Sequence, residues 1–382
     1  MYLEPSGGQG LDHSVPADPV QTAAGEELTR FKAELKCLFD LDALELTGSG
    51  VPLMDGVVVL LTTPEIVLGD DGTVIYRAGL AASGLGALDE TVWLDRAGTA
   101  QPVDPSWTSD FSALALSPDG LQVAMTQRTA DGSQHIWIKQ LDRGPLQRLT
   151  FNGLNSDPAW TPDGRSILFA SERSGNFDIF IKPADGAANA RLVLDEPTDL
   201  RQPIPSPDGE WLIYSRSAAE ERDIMAKKLD SDEESVPIAA TPGVAEYRPT
   251  LSPDGRWLAY VSWESGRAEV WVRAFPAGEP KWQISRDGGN IPRWGRSGRE
   301  LLYRSGVSAW EMVSVEVMEG ETFVRGPETV LFPWVNLDND RWDVAPDDQR
   351  FFFVRLRRDD RQSSTVVVID NFFEELKAKV GN

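Results

Sequence analysis

The tetrapeptide Ser-Pro-Asp-Gly occurs at residues 117–120, 206–209 and 252–255, and Thr-Pro-Asp-Gly occurs at 161–164. Proline presets φ at the second position of a turn, aspartate accepts hydrogen bonds from the nearby backbone, and glycine adopts the left-handed conformation that closes a hairpin. Degenerate copies stand at 69–72, 295–298 and 345–348. Successive copies lie 43 to 50 residues apart, and a period in the forties is typical of one four-stranded blade of a β-propeller.

The same succession of short strands follows each turn. An apolar run comes first, such as SILFA at 166–170 or WLAYV at 257–261, and a polar hairpin follows. A third strand opens with an acid or its substitute, as at Asp178, Glu269 and His135, and a short edge strand ends the repeat. Four strands per repeat predict an all-β fold, a β-propeller of four-stranded blades, and not a β-sandwich or β-helix. Seven turn motifs favour seven blades, and six or eight remain open if a degenerate repeat is misread.

The repeats divide the chain into three regions. We expect a polar leader at 1–36 that is partly disordered or forms a short helix, a propeller at 37–370, and a short C-terminal helix or tail at 371–382. Residues 41–54 have the strand–turn–strand pattern of a half-blade, and the last repeat stops after its third strand at 365–369. We therefore expect residues 41–54 to supply the missing outer strand and close the ring.

Composition excludes several classes of function. The 382 residues include 37 Lys and Arg against 60 Asp and Glu, a net charge of −23, which repels nucleic acid and anionic lipid. One cysteine excludes an intrachain disulfide, and two histidines argue against a Ser-His-Asp triad or a multi-histidine metal site. No apolar stretch reaches the roughly 18 residues of a membrane span, and the first residues lack the pattern of a signal peptide. We expect no direct membrane insertion.

The repeat resembles the TolB-like, WD40-like β-propeller repeat of bacteria, over about residues 37–370. Segments at 39–42, 91–98 and 371–377 are similar to propellers attached to bacterial serine/threonine kinases, although the kinase motifs themselves do not occur in this sequence. A Gly-x-Ser-x-Gly nucleophile motif is also absent from the sequence. We therefore expect a stand-alone propeller or a fragment of a larger protein. Related propellers are often periplasmic or extracytoplasmic, and the sequence leaves the compartment open.

A metal site has one weak candidate. Asp338, Asp340 and Asp343 alternate along a short acidic stretch, and such oxygen ligands suit Ca²⁺, but the glycine and terminal glutamate of an EF-hand loop are missing. The turn aspartates are explained by the turns themselves. No other cofactor is predicted.

The channel mouth is the candidate binding site. The innermost strand of each blade comes just before the turn tetrapeptide. The residues six and seven positions before the third residue of the tetrapeptide should precede this strand and therefore point to one rim of the propeller. Their chemistry varies between repeats, which suits a recognition surface, where Arg and Tyr are enriched; the alternative is that they are merely exposed. The candidates are Asp157, Arg201, Gln202, Tyr247, Arg248, Asn290 and Arg341.

The sequence thus predicts a non-enzymatic binding or scaffold module that presents one face and its channel mouth to a protein or peptide partner. Three alternatives stay open: a ligand-sensing regulatory domain of a receptor-type serine/threonine kinase system, a permanent subunit of a larger assembly, and a channel-mouth hydrolase or lyase. The oligomeric state is not predicted.

Overall fold

The computed structural model describes residues 89–129, 132–142, 144–218, 221–306, 310–318, 320–334 and 337–356, together with short strands between residues 33 and 78 and at 365–369. The chain divides into two compact units. The propeller unit comprises Asp89–Thr129 and Ser133–Arg355; the second unit comprises Met1–Leu88, Ala130–Gly132 and Leu356–Asn382. Every regular element in the described residues is a β-strand, so the predicted all-β class is confirmed.

Short strands begin the second unit. They are β1 (Ala33–Lys36), β2 (Phe39–Asp40), β3 (Glu45–Leu46), β4 (Gly50–Met54), β5 (Val59–Leu60), β6 (Thr63–Pro64), β7 (Ile66–Leu68) and β8 (Val74–Ala78). β1 pairs with β4, β2 with β3, β5 with β6, and β7 with β8. Residues 33–36 are therefore a strand and not part of a helix. The rest of the predicted leader and the tail at 371–382 lie outside the described residues.

The propeller unit opens with the hairpin of β9 (Asp89–Asp95) and β10 (Ala100–Pro102), and four-stranded antiparallel blades follow. Blade 1 is β11 (Thr108–Leu116), β12 (Gln122–Arg128), β13 (Gln134–Gln140) and β14 (Leu146–Arg148); blade 2 is β15 (Asn155–Trp160), β16 (Ser166–Ser171), β17 (Asp178–Pro183) and β18 (Arg191–Leu194). Blade 3 is β19 (Asp199–Pro205), β20 (Trp211–Ala218), β21 (Glu221–Lys228) and β22 (Val236–Ala239); blade 4 is β23 (Glu246–Leu251), β24 (Trp257–Ser262), β25 (Glu269–Ala274) and β26 (Lys281–Gln283). Blade 5 is β27 (Gly289–Trp294), β28 (Glu300–Ser305), β29 (Glu311–Met318) and β30 (Val324–Pro333).

The sixth blade joins the two ends of the propeller unit. Its strand order is β31 (Leu337–Val344), β32 (Arg350–Leu356), β9 and β10. Each inner strand contacts the next, from β11 through β15, β19, β23 and β27 to β31, and β31 contacts β11. The β-propeller is thus confirmed. The number of seven blades, which the turn motifs favoured, is not confirmed. The ring of the propeller unit closes with six blades, and the turn motif at 69–72 lies outside the described residues.

Closure differs from the scheme expected from the sequence. β9 takes the place beside β32, whereas β33 (Thr365–Ile369) pairs with β8 and the strand within residues 41–54, β4, pairs with β1. The physical reason is the apolar face of β9. Val92 and Leu94 are 0% and 3% exposed and pack in one cluster with Phe351 and Phe353 of β32.

The repeated tetrapeptide forms the turn that its residues predict. In the first copy the Ser117 hydroxyl donates to Asp119 Oδ1 at 2.5 Å, and Leu121 N donates to the same oxygen at 3.0 Å. Gly120 has φ +71° and donates its N–H to the Ser117 carbonyl at 2.8 Å. Hydroxyl donation is the main cause of a lowered pKa at the turn aspartates, namely Asp119, Asp163 and Asp208.

Candidate functional site

A β-bulge interrupts each inner strand of blades 2 to 5. The register shifts between Ser156 and Ala159 in β15, and the same shift recurs in β19, β23 and β27. At each bulge one residue has φ between +52° and +56° and precedes a proline; these residues are Asp157, Gln202, Arg248 and Ile291. Left-handed backbone costs a residue with a Cβ about 1–2 kcal/mol, and such strain persists only where the surrounding structure enforces it.

The bulges correct the expected strand starts. Since the candidate residues were expected to precede the inner strands, those strands should begin at the prolines that follow, near Pro158, Pro203, Pro249 and Pro292. In the structure they begin three or four residues earlier. Proline lies in mid-strand because a bulge interrupts the ladder, so its missing N–H has no ladder bond to make there.

The inner strands surround a central channel of about 510 Å³. Its walls come from β11, β15, β19, β23 and β27, with Asp343 contributed by β31. Three of the bulge residues that the sequence selected, Asp157, Gln202 and Arg248, line it. Prolines of the turn tetrapeptides line it as well, so the channel is bounded by rigid backbone.

Hydrogen bonds tie the candidate residues of neighbouring blades into a belt. Arg201 Nη1 donates to Ser156 Oγ at 2.9 Å and lies 3.9 Å from Asp157 Oδ2. Gln202 Oε1 accepts from Arg248 N at 3.0 Å, and Arg248 Nη1 donates to Asn290 Oδ1 at 2.8 Å. We call Asp157, Arg201, Gln202, Arg248 and Asn290 the mouth belt. Each of its members is half-buried, so they are not merely exposed, unconstrained residues.

The other two candidates differ in their surroundings. Tyr247 is half-buried, with the guanidinium carbons of Arg222 and Arg248 at 5.8 and 5.7 Å from its ring centre, and its hydroxyl accepts from Trp263 Nε1 at 3.2 Å. Arg341 pairs with the buried carboxylate of Asp89, the first residue of β9. Tyr247 therefore adjoins the mouth belt, whereas Arg341 takes part in closing the ring.

Sequence reasoning missed Arg296, which lines the channel at the degenerate turn of blade 5. Arg296 occupies the proline position of that turn, Gly295-Arg296-Ser297-Gly298. Its Nε donates to the Val344 carbonyl at 3.1 Å, and its Nη2 lies 3.3 Å from Asp343 Oδ2. The sequence did contain a signal for this residue, since arginine replaces the proline of the turn tetrapeptide at position 296. A long cationic side chain at this position reaches the next blade.

The weak calcium candidate gains no support in the described residues. Asp343 Oδ2 accepts from Leu116 N at 2.9 Å and pairs with Arg296. The side chains of Asp338 and Asp340 lie outside the described residues. Where side chains are described, no group of three His, Cys, Asp or Glu could hold a metal ion, and the calcium site stays a prediction.

His135 lies in a structural position. It is buried, and its Nδ1 is 3.4 Å from Asn155 Nδ2 at the start of the next inner strand. The corresponding Glu269 of blade 4 accepts from Gly288 N at 3.1 Å. At this repeat position His135 therefore contacts the first residue of the next inner strand, and Glu269 contacts the connection that leads to it.

The comparisons with known proteins agree with this architecture. Residues 98–255 match the family described as TolB beta propeller domain. A protein provisionally named TolB from Agrobacterium tumefaciens superposes with a TM-score of 0.58 at 20% identity, covering 72% of this chain and 100% of that one. The propeller unit is a TolB-like β-propeller. The resemblance to kinase-attached propellers stays a prediction.

Two curated relatives extend the comparison. The Uncharacterized peptidase YuxL of Bacillus subtilis is 30% identical over 129 residues, which are 32% of this chain and 20% of YuxL. The Uncharacterized protein Atu1656 of Agrobacterium fabrum is 25% identical over 203 residues, 49% of this chain and 67% of that protein. The chain thus spans about a fifth of YuxL. Among the described residues no helix is long and apolar enough to cross a membrane.

Proposed function

We propose that this chain is a non-enzymatic binding module whose propeller presents its channel mouth to a protein or peptide partner. The observation that carries the proposal is the mouth belt. Its side chains differ in chemistry but are held between neighbouring blades, by hydrogen bonds of Arg201, Gln202, Arg248 and Asn290 and by the ion pair of Arg201 with Asp157. Side chains fixed in advance lose less conformational entropy when a partner binds, which raises affinity for a given contact area.

The charges of the channel indicate the kind of peptide. Among the described lining residues the cations are Arg248, Arg293 and Arg296, and the acids are Asp157 and Asp343. Asp343 is already paired with Arg296. This lining therefore leans towards positive charge within a chain of net charge −23. We expect the partner to place an acidic or amide-rich segment over the mouth, where charge complementarity favours encounter and register.

The test is a peptide library displayed on phage and selected against the full chain, with affinities measured by calorimetry. The variant is Tyr247→Ala with Arg248→Asn, because asparagine tolerates the left-handed φ of +56° better than alanine does. If both residues are hot spots, binding weakens by about 2 kcal/mol or more, roughly 30-fold.

The control is Lys227→Ala with Lys228→Ala on β21 of blade 3, where Lys227 Nζ donates to the Ser231 carbonyl at 3.0 Å. This pair should leave peptide affinity within about twofold, since surface changes are usually worth less than 0.5 kcal/mol. Selected peptides that bind the mouth variant as tightly as the wild type, but lose affinity for the control, would show that the partner grips the side of the propeller.

The peptidase name of YuxL favours hydrolysis as a second candidate function. Incubating the full chain with a mixture of unstructured peptides and following them by mass spectrometry separates the two. We expect no cleavage. Cleavage that persists after repurification and is abolished by the Tyr247→Ala, Arg248→Asn variant would replace the binding module with an enzyme.

A further inference from the structure

One position of the blade repeat carries a cation in four blades. It lies on the third strand of each blade, four residues after His135, Asp178, Asp223 and Glu269 respectively, and it is held by Lys139, Lys182, Lys227 and Arg273. The position is equivalent because the second and third strands pair with the same register in all four blades. The surroundings of these four cations can therefore be compared directly.

Three of the four cations have internal partners. Lys139 Nζ pairs with Asp104 at 3.1 Å, and Lys227 Nζ donates to the Ser231 carbonyl at 3.0 Å. Arg273 donates to Tyr260 Oη at 2.7 Å. Within the described part of the chain the Lys182 ammonium makes no hydrogen bond and no ion pair. It lies over the Phe151 ring, whose centre is 5.7 Å from Nζ.

Lys182 lines a cavity of about 300 Å³ together with Phe151, Asn152, Arg173 and Asn189. The cavity is lined by the connection from β14 to β15, by β17 and by the loops on either side of β17, and it shares no lining residue with the central channel. Phe151 is 62% exposed, an unusual state for a large aromatic side chain. The walls thus combine two cations, two side-chain amides and an open aromatic ring.

Arg173 is held rigidly at this cavity without a counterion. Its Nε donates to Ser171 Oγ and its Nη2 to Asn155 Oδ1, both at 2.9 Å, and its guanidinium lies 4.6 Å from the centre of the Phe180 ring. Burial lowers the pKa of Arg173. In the described residues no carboxylate lies within 4.0 Å of either Arg173 or Lys182, so the charges of both remain uncompensated.

Blade 4 shows what the same positions look like when they are neutralised. Glu246 and Glu264 stand there at the positions of Asn155 and Arg173. Glu264 accepts from Lys281 Nζ at 2.8 and 2.6 Å, and Glu246 lies 3.9 Å from Arg273. Blade 2 has Asn155 and Arg173 where blade 4 has these two glutamates, so it lacks the acids that act as internal counterions in blade 4.

We propose that the cavity around Lys182 and Arg173 binds a small acidic ligand, with its carboxylate or phosphate on the two cations and its organic part against Phe151. Arginine and lysine side chains both form charge-assisted hydrogen bonds to such oxyanions. The ring of Phe151 supplies apolar contact to the uncharged part of the ligand. The cavity volume is at the lower end for ligand sites, which fits a small molecule.

The experiment is calorimetric titration of the full chain at low ionic strength with phenyl phosphate, benzoate, inorganic phosphate and the neutral benzyl alcohol. We expect saturable binding of phenyl phosphate or benzoate and none of benzyl alcohol; the tighter of the two anions identifies the headgroup. Lys182→Ala should weaken that binding at least tenfold, and Phe151→Ala should weaken it towards the affinity of inorganic phosphate.

Lys227→Ala is the matched control, since it removes the cation at the same repeat position of blade 3. It should bind the anions as the wild type does. Equal losses in Lys182→Ala and Lys227→Ala would mean that the anions respond to overall charge, and an absence of saturable binding by every anion would overturn the site. Thermal melts of both variants verify the fold. Among the described residues the Lys182 ammonium has no hydrogen-bond or ion-pair partner, so its removal should leave the fold intact.

Discussion

Removing the carboxylate of Asp89 tests how the propeller closes. Asp89 begins β9, is 6% exposed, accepts a hydrogen bond from Phe111 N at 3.2 Å and pairs with Arg341 of β31. Asp89→Ala deletes this carboxylate, so that the buried Phe111 N–H and the Arg341 guanidinium both lose it as a partner. The substitution therefore acts on the junction between the first and last strands of the propeller unit.

The expected loss follows from burial. Removing one partner of a buried ion pair costs about 3–5 kcal/mol, because the other charge stays buried. The Arg341 side chain is 16% exposed, so water screens part of its charge and we expect the lower end, about 3 kcal/mol. Asp89→Asn should cost less because its amide oxygen still accepts from Phe111 N.

The assay is urea denaturation followed by the fluorescence of the 13 tryptophans, with a double-mutant cycle against Arg341→Ala. Arg325→Ala is the control; it breaks an exposed pair with Glu328 on β30 and should cost less than about 1 kcal/mol. A loss below 1 kcal/mol for Asp89→Ala, or a cycle in which the two substitutions simply add, would refute the account of closure by β9.

Two further predictions concern the turns. Gly120→Ala should destabilise the fold more than Gly209→Ala. Both glycines have positive φ, so a Cβ costs about 1–2 kcal/mol at either position, but a Cβ at Gly120 would also meet Pro346 Cδ at 2.6 Å, whereas nothing lies within 4 Å at Gly209. Thermal melts of the two variants check this order, and equal midpoints would contradict it. The pKa of Asp208 is lowered in the folded state. Its ionised carboxylate should therefore stabilise the fold at pH values above the unfolded pKa of about 3.9, and this stabilisation should be lost as the pH falls through the folded pKa. Unfolding free energies of wild type and Asp208→Asn should therefore differ most above about pH 4 and converge below it, and a constant difference would exclude a role for its ionisation.

The turns were predictable because their hydrogen bonds are local. Ser206 N–H and the Trp211 carbonyl, at the two ends of one turn, are five residues apart and bond at 2.8 Å, so residue types alone determine the hairpin. Repetition of such turns then fixes the blade. The inner-strand starts were wrong by three or four residues because proline was expected at a strand end, whereas the left-handed residue before Pro158 places it at a bulge.

The blade count and the closing strand depend on distant pairings. The strands β9, β32, β33 at 365–369 and β8 at 74–78 are all rich in apolar residues. The residue pattern alone therefore does not show that β32 pairs with β9 and β33 with β8. The mouth belt was partly predictable. Repeat spacing selected its members, and bonds such as that between Arg248 and Asn290 join equivalent places in adjacent blades. The direction of each side chain could not be predicted, so the sequence did not indicate that Arg341, one of the mouth candidates, pairs with Asp89.

Closure by β9 also sets a waiting time during synthesis. Asp89 leaves the ribosome 252 residues before Arg341, which at about 5–20 residues per second is roughly 13–50 s. Throughout that interval the nascent chain lacks the strands that cover Val92 and Leu94, and β9 offers an unpaired edge to any neighbouring chain. The blades that follow can form one by one, but the ring is completed last, so the first strand of the propeller unit is among the last to find its partners.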